Sequence, residues 1–198
     1  MPTLANKDKI ILDLCGGTGS WSKPYVEAGY DVQLITLPHN DVREYEPPEN
    51  VYGILAAPPC TMFSIARKTT AKQPRSFAQG LEIVLACLRI VWDTQGNGET
   101  TNLKFWCLEN PRGYLRHFLG LPALTVRQSE YGAAINKPTD LWGYFKPPKP
   151  THPGRKVTEA EGDLIWQRMK SPQPGLTRAD MRAVTPPGFA YAFYKSNQ

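Results

Sequence analysis

Short apolar runs alternate along this chain with segments whose apolar residues recur at helical spacing. Each apolar run stops at glycine, proline or a polar cluster, which is typical of buried strands. The strands predicted in this way cover residues 9–14, 31–37, 51–56, 104–108 and 124–128. Because strands that alternate with helices form parallel sheets covered on both faces, the pattern predicts an α/β fold.

Helices are predicted between and after these strands. They cover residues 22–28, 77–91, 159–169, 177–183 and 185–195. Gly29 ends the first of them, and the second carries apolar residues at helical spacing. In the last helix, Thr185 is the predicted N-cap and Pro186 the first-turn proline.

A basic, proline-rich stretch, residues 146–155, interrupts the regular pattern and is predicted to be an extended connector. We therefore divide the chain into a core (1–145), the connector with a small region after it (146–176), and a C-terminal helix that returns to the core (177–198).

Composition restricts the classes of function. The chain has 198 residues and a formal net charge of +5, which suits a polyanionic partner. Its four cysteines show no CxxC spacing and it has three histidines, so we predict no metal site. Free cysteines indicate a reducing, cytoplasmic setting. No apolar stretch has the length of a signal peptide or a membrane span, so no membrane partner is expected.

A glycine-rich segment follows the first strand directly. Asp13 precedes Gly16, Gly17 and Gly19, and glycines allow the backbone to turn tightly and approach a ligand. A dinucleotide-binding GxGxxG pattern would need a third glycine where Ser22 stands. A plain loop between a strand and a helix remains the alternative.

Pro58, Pro59 and Cys60 follow the third strand. Proline restricts its own backbone and that of the residue before it, so this thiol is held stiffly at a strand end. A thiolate in that position can act as a nucleophile. The alternative is a small buried cysteine that only fills space.

Glu109, Asn110 and Pro111 follow the fourth predicted strand. A carboxyl group there can cap a helix or form an ion pair. It can also hydrogen-bond the edge of a pyrimidine and favour protonation at ring nitrogen 3. All three motifs fall at carboxyl ends of strands, where ligands bind in open α/β sheets.

The three motifs, in this order and spacing, resemble the DNA cytosine carbon-5 methyltransferase family. Residues 127–142 and 185–194 resemble the corresponding segments of compact, phage-type members, so the resemblance covers most of the chain. It implies a Rossmann-like, S-adenosylmethionine-dependent methyltransferase fold, with a mostly parallel sheet, helices on both faces, and a reduced or missing target recognition domain.

The resemblance also implies roles for individual residues. Cys60 adds to carbon 6 of cytosine, Glu109 contacts nitrogen 3 and the exocyclic amine, and carbon 5 takes a methyl group from S-adenosylmethionine. The implied cofactor-binding residues are Asp13, Cys15, Gly16, Gly17, Gly19, Trp21, Thr36, Asp41 and Pro58. The implied substrate-binding residues are Pro59, Ser64, Arg67, Lys68, Asn110, Pro111, Arg112, Gln128, Lys137 and Thr139.

The sequence departs from the family's pattern in several places. Thr36 stands where an acidic residue usually holds the cofactor ribose, and Asp41 is the nearest acid after it. Cys15 replaces the usual aromatic residue, which leaves Trp21 as an aromatic candidate. The family's Gln-x-Arg-x-Arg segment keeps Gln128 but not the arginines. Residues 146–176 stand where the family has its target recognition domain, and this region is short. Its length indicates that a protein partner or a dimer supplies sequence specificity.

Three functions follow as hypotheses. The first is an active DNA methyltransferase acting on double- or single-stranded DNA. The second is a related enzyme that modifies another pyrimidine substrate, such as a nucleotide or RNA, or transfers a different group. The third is a catalytically silent nucleic-acid-binding protein of the same fold. A binding protein needs neither Cys60 nor Glu109, which favours an enzyme.

Overall fold

The computed structural model describes residues 5–67, 69–70, 74–96, 102–170, 181 and 183–198, with no side chains described between 165 and 170. The strands are β1 (Ile10–Leu14), β2 (Asp31–Ile35), β3 (Val51–Ala56), β4 (Phe105–Pro111), β5 (Leu124–Arg127) and β6 (Pro138–Tyr144). The α-helices are α1 (Lys23–Glu27), α2 (Phe77–Gln95), α3 (Arg116–Leu119), α4 (Glu159–Lys170) and α5 (Pro187–Ser196). The predicted helix at 177–183 lies largely outside the described residues.

The strands form one six-stranded sheet in the order β2-β1-β3-β4-β6-β5. β1 is parallel to β2 and β3, and β3 is parallel to β4, whereas β6 is antiparallel to both of its neighbours. The chain is therefore an α/β protein with a mostly parallel sheet, which is compatible with the Rossmann-like fold that the resemblance implies.

The register of the parallel strands brings their carboxyl ends to one edge. Leu14 pairs with Ile35 and Ala56, and Ala56 pairs with Leu108. The residues that follow these four positions therefore leave the sheet side by side. Because β2 and β3 lie on opposite sides of β1, the strand order reverses at β1, which is where open α/β sheets bind ligands.

Helices cover both faces of the sheet because successive strand residues point to opposite sides. On one face, Leu12, Leu14 and Ile54 pack with residues of α2, such as Val84 and Ile90. The opposite core contains Ile11, Leu55 and Phe105 from the strands, Tyr25 from α1, and Phe189 and Phe193 from α5. The C-terminal helix α5 is thus an integral part of one layer.

The connector (residues 146–155) lies against the segment that follows β5. Tyr131 Oη donates a hydrogen bond to the Pro148 carbonyl at 3.0 Å, and the His152 amide donates to the Glu130 carbonyl at 2.8 Å. Arg155 Nη1 donates to the Ala133 carbonyl at 2.8 Å. These bonds fix the course of the proline-rich stretch over the protein.

Several boundaries differ from those predicted, and those of β4 and α5 bear on the site. β4 does not stop at Leu108 but continues to Pro111, because β6 pairs with it as far as the Pro111–Thr139 pair. β6 itself was not predicted, since Asp140 and Gly143 interrupt its apolar pattern. α5 begins at Pro187, so its N-cap is Pro186 and not Thr185, whose amide instead donates to Ser20 Oγ at 2.9 Å.

The longest described helix, α2, carries surface charges along its length, and none of the described helices has the length and apolarity needed to cross a membrane.

The aromatic cluster beneath α5 should dominate the stability of its layer. The Phe193 ring is fully buried, with centroids 5.3 Å from Trp21 and 5.9 Å from Phe105. Phe193→Ala should lower the free energy of unfolding by about 3–5 kcal/mol, through lost burial and the cavity left behind. Urea unfolding followed by circular dichroism measures this. Trp92→Ala, at a side chain 72% exposed, is the matched control and should change little; equal effects would contradict the packing described.

Candidate functional site

The glycine-rich loop after β1 turns sharply beneath the carboxyl edge of the sheet. Cys15 has a left-handed φ of 57°, and its amide donates to the Ile35 carbonyl at 2.8 Å, which continues the pairing with β2. A Cβ atom on Gly16 would lie 2.3 Å from the Asp13 carboxyl group, so only glycine fits there. Gly19 has a φ of 69°, which also favours glycine, and Gly17 is exposed at the outside of the loop.

Asp13 supports this loop from below. Its side chain is fully buried, and Ser22 Oγ donates to Oδ2 at 2.5 Å, while Oδ1 has no hydrogen-bond partner among the described residues. Burial raises the pKa of Asp13 to about 6, although the hydrogen bonds from Ser22 lower it. Asp13 thus positions the loop, and its buried carboxyl group does not face the surface.

A cavity of about 200 Å³ opens at the switch point of the sheet. Its walls include Cys15 after β1, Thr36 after β2 and Pro59 after β3, together with Asp41. The predicted cofactor residues Cys15, Thr36 and Asp41 are therefore brought together. The remaining wall residues are mostly apolar: Ile35, Leu37, Val42 and Ile83, with the polar Asn40 and Arg43.

The carboxylate of Asp41 is paired with Arg43. Arg43 donates to it through Nε at 3.0 Å and through its backbone amide at 3.0 Å, which lowers the pKa of Asp41 to about 2. Asp41 is therefore ionised over the physiological range. Thr36, with one hydroxyl, and Asn40 are the uncharged polar residues that line the cavity with it.

The Pro-Pro-Cys segment is joined to both neighbouring strands. The Ala57 amide donates to the Leu14 carbonyl at 2.9 Å, and Asn110 Nδ2 donates to the Pro58 carbonyl at 2.9 Å. Cys60 then begins a short 3₁₀ helix, and its carbonyl accepts from the amides of Phe63 and Ser64. The thiol-bearing residue is thus two positions from a bond to β4, while Glu109 directly precedes the donor Asn110.

Glu109 lies partly exposed near the end of β4. Burial raises the pKa of its carboxyl group, the positive charge of Lys137 lowers it, and the negative charge of Asp140 raises it. The net direction is upward, so Glu109 holds a proton more readily than an exposed glutamate does. The site therefore combines a thiol and a carboxylic acid at one edge of the sheet.

Several predicted substrate residues are buried and position their neighbours. Asn110 and Thr139 are almost completely buried, and Gln128 Nε2 donates to Thr139 Oγ1 at 3.3 Å. Thr139 pairs with Pro111 in the sheet. Pro58 is also buried. These residues fix the ends of β4, β5 and β6 relative to one another and to the Pro-Pro-Cys segment.

The loop after Cys60 is held by arginine bonds to its own carbonyls. Arg67 Nη1 approaches Met62 Sδ at 2.8 Å, and its Nη2 donates to the Pro74 carbonyl at 3.1 Å. Arg75 donates to the carbonyls of Met62 and Ser64 and lies over the Tyr114 ring at 4.9 Å. Arg67 is thus engaged inside the loop, and the predicted contact residue Lys68 lies outside the described residues.

Trp21 does not offer an aromatic surface at the cavity by the switch point. Its side chain is 2% exposed and packs against Phe189 and Phe193. Tryptophan at a helix start is more often a packing residue, and that alternative holds here. The described part of the cavity wall contains no aromatic residue in its place.

Two functional arrangements were missed from the sequence. Asp140 is fully buried and accepts from Arg116 Nη2 at 2.5 Å and from Thr125 Oγ1 at 2.7 Å, which fastens α3 and β5 to β6. A charged residue directly before the apolar pair Leu141-Trp142 was the available signal. Arg75 stands out in the sequence only as one cation of the basic loop after Cys60, and its hydrogen bonds give no signal there because the acceptors are backbone carbonyls.

The described residues include no group of three His, Cys, Asp or Glu side chains arranged to hold a metal ion. No protein-family model matches the sequence, and no curated protein matches it significantly. The residues of the site are accordingly the basis for a proposal of function.

The buried carboxyl group of Asp13 should make stability depend on pH. Its pKa is about 6 in the folded protein and 3.8 when exposed, so the folded state binds the extra proton between these values. The free energy of unfolding should therefore fall as the pH rises from 4 to 6, by about 3 kcal/mol for a difference of this size. Above pH 6 this contribution stays lost.

Asp13→Asn should remove that dependence, because an amide keeps the Ser22 contact without a titrating proton. Urea unfolding of both proteins from pH 4 to 7 tests it. The variant should gain stability relative to the unaltered protein as the pH rises through 6. Contributions from Glu109 are common to both proteins and cancel. Parallel stability curves would show that Asp13 does not titrate in this range.

Proposed function

We propose that this protein is a DNA cytosine carbon-5 methyltransferase that uses Cys60 as its nucleophile. The observation that carries the proposal is the convergence of two motifs, Pro-Pro-Cys and Glu-Asn-Pro, at one sheet edge. The hydrogen bond from Asn110 to the Pro58 carbonyl joins them. This arrangement can offer a thiol and a carboxyl group to the same small ring.

Cytosine is a poor electrophile until its ring is protonated. In the proposed mechanism, the Cys60 thiolate forms a bond to carbon 6 while Glu109 gives its proton to nitrogen 3. The electron pair of the 5,6 double bond is then delocalised as an enamine, which makes carbon 5 nucleophilic. A raised pKa of Glu109 suits this role, because the acid must hold its proton near neutral pH.

The second half of the reaction reverses the addition. After carbon 5 has accepted its substituent, solvent water takes up the carbon-5 proton, and the electron pair of that C–H bond restores the ring double bond and expels the Cys60 thiolate. The proton on nitrogen 3 returns to Glu109. The protein thus ends with the same protonation states with which it began, and no redox step is needed.

The residues at the switch point fit a cofactor of the adenosine type in part. The cavity is apolar enough for a flat ring, its polar residues are Thr36, Asn40, Asp41 and Arg43, and the glycine-rich loop contributes Cys15 to its wall. These residues, with Cys15, would hold the adenosine portion. Bound S-adenosylmethionine would supply the methyl group that carbon 5 accepts.

The target base must leave the helical stack to reach such a site in duplex DNA, at roughly a few kcal/mol. Single-stranded DNA avoids that expense. Glu109 lies where burial disfavours its charged form, and this favours an enzyme over a silent binding protein. A protein that only binds nucleic acid gains nothing from a carboxyl group there.

Trapping with 5-fluorocytosine tests the proposal directly. DNA that contains this base, incubated with the protein and S-adenosylmethionine, should give a covalent complex. Fluorine cannot leave as a proton does, so Cys60 stays attached. Denaturing electrophoresis and peptide mass spectrometry should find the adduct on Cys60, and Cys60→Ser should lower its yield at least 100-fold, since activated nucleophiles are not replaced by a hydroxyl.

Cys107→Ala is the matched control, since this thiol is fully buried in the sheet, where no base can reach it. It should still form the adduct. The proposal fails if DNA incubated with the protein and S-adenosylmethionine acquires neither an adduct nor 5-methylcytosine. A modified nucleotide pool beside unmodified DNA would instead support the second hypothesis.

Lys137 should influence the pKa of Glu109, the acid that protonates the base in the proposed mechanism. Its charge lowers the pKa of Glu109, so Lys137→Met should raise that pKa further. The alkaline limb of the pH profile for adduct formation, measured at saturating DNA, should then move to higher pH. Lys137→Arg should keep the original profile. An alkaline limb that stays in place in Lys137→Met would show that Glu109 does not donate the proton.

A further inference from the structure

A second concavity lies where β4 and β5 end and β6 begins. It has a volume of about 700 Å³, and three cations line it: Arg112, Arg127 and Lys156. Its remaining walls include Thr125, Asn136 and one carboxylate, Glu130. Nothing in the proposed chemistry uses this concavity, and Arg127 and Lys156 belong to no site implied by the resemblance.

The two arginines of the concavity differ from the other arginines whose side chains are described. Those others donate to carboxylates, carbonyls or sulfur: Arg43, Arg67, Arg75, Arg89, Arg116 and Arg155. Arg112 and Arg127 are exposed and have no side-chain hydrogen bond or ion pair with any described residue. The same holds for Lys156. Guanidinium groups left unpaired in a concave wall suit an anion that brings paired acceptor oxygens.

The backbone fixes the spacing of these cations. The Arg112 amide donates to the Pro138 carbonyl at 3.0 Å, and Arg127 pairs with Pro138 in the sheet, so the two arginines flank one residue of β6. Neighbouring strands lie about 4.8 Å apart. The connector, bonded to the segment after β5, ends directly before Lys156 and brings it to the same wall.

The concavity is also close to the candidate catalytic acid. Arg112 follows Glu109 by three residues, or about 10 Å along an extended chain. Lys137, whose charge lowers the pKa of Glu109, directly precedes Pro138 in the wall. A nucleotide whose base edge meets Glu109 would therefore have its own or the next phosphate within reach of the concavity.

We propose that this concavity binds the sugar-phosphate backbone of the nucleic-acid strand that carries the target base. The inference rests on the proposed function for the identity of that strand. Such a site would hold the strand next to the reacting base whatever its sequence. This suits a chain whose recognition region is short. Backbone contacts of this kind set position and register without reading sequence.

Salt dependence of binding tests the inference. The probe is a fluorescein-labelled strand of thymidylates, which contains no cytosine, so binding does not depend on the chemistry at Cys60. Each phosphate neutralised contributes a slope of about 0.7 to the fall of log K with log salt for single strands. Arg112→Ala, Arg127→Ala and Lys156→Ala should each reduce the slope by about that amount, and the triple variant by about 2.

Lys104→Ala is the matched control, because Lys104 is an exposed cation at the amino end of β4, at the opposite edge of the sheet. It should leave the slope unchanged. Urea unfolding should show that all variants are as stable as the unaltered protein, as expected for exposed side chains. A triple variant with the unaltered slope, or a Lys104→Ala effect of equal size, would overturn the inference.

Two further measurements distinguish a site for a nucleic-acid backbone from a site for free nucleotides, and distinguish this inference from the proposed function. Thymidine monophosphate that displaces the labelled strand at equal phosphate concentration would show a site for free nucleotides and overturn the assignment to a backbone. Trapping on 5-fluorocytosine DNA is scored independently. Reduced slopes without any adduct would support the concavity and reject the methyltransferase, whereas a Cys60 adduct with unchanged slopes would reject the concavity alone.

Discussion

The hydrogen bond from Asn110 to the Pro58 carbonyl is the interaction on which the site depends. Parallel pairing ends at Ala56 and Leu108, so the sheet alone does not determine where the next residues go. Two prolines stiffen the segment after β3, and pairing with β6 extends β4 to Pro111. The buried amide of Asn110 joins these two stiff segments, and so sets Cys60 and Glu109 at one edge.

Placing polar groups at this edge has a structural cost that the surrounding residues offset only in part. Asp13 is buried, and its Oδ1 has no hydrogen-bond partner among the described residues. The side-chain oxygen Oδ1 of Asn110 likewise has none there. Burial also raises the pKa of Glu109. Proteins retain such unfavourable groups where function needs them, and here they lie on successive strand ends around one edge.

The sequence predicted the parallel half of the sheet well, because β1, β3 and α2 have clear apolar periods that tertiary contacts reinforce. The antiparallel half was harder. The apolar run of β6 contains Asp140, whose burial is explained by Arg116, a residue 24 positions away that no local pattern connects to it. Trp21 was misplaced for the same reason: its neighbours Phe189 and Phe193 come from the other end of the chain. Long-range partners, and not local propensity, decided these cases.

Charged and reactive side chains are distributed unequally along this edge of the sheet. In the proposed reaction, the target base would meet Cys60 after β3, Glu109 on β4 and Lys137 directly before β6, next to the cationic wall. At the cavity by the switch point, Arg43 engages the carboxylate of Asp41 and leaves Thr36 and Asn40 as the uncharged polar groups. Neither side chain can replace a carboxylate that accepts two hydrogen bonds from a ribose. Under the proposed function, the adenosine portion would therefore be held mainly by apolar contact, and the ribose contact is where this chain departs furthest from the family it resembles.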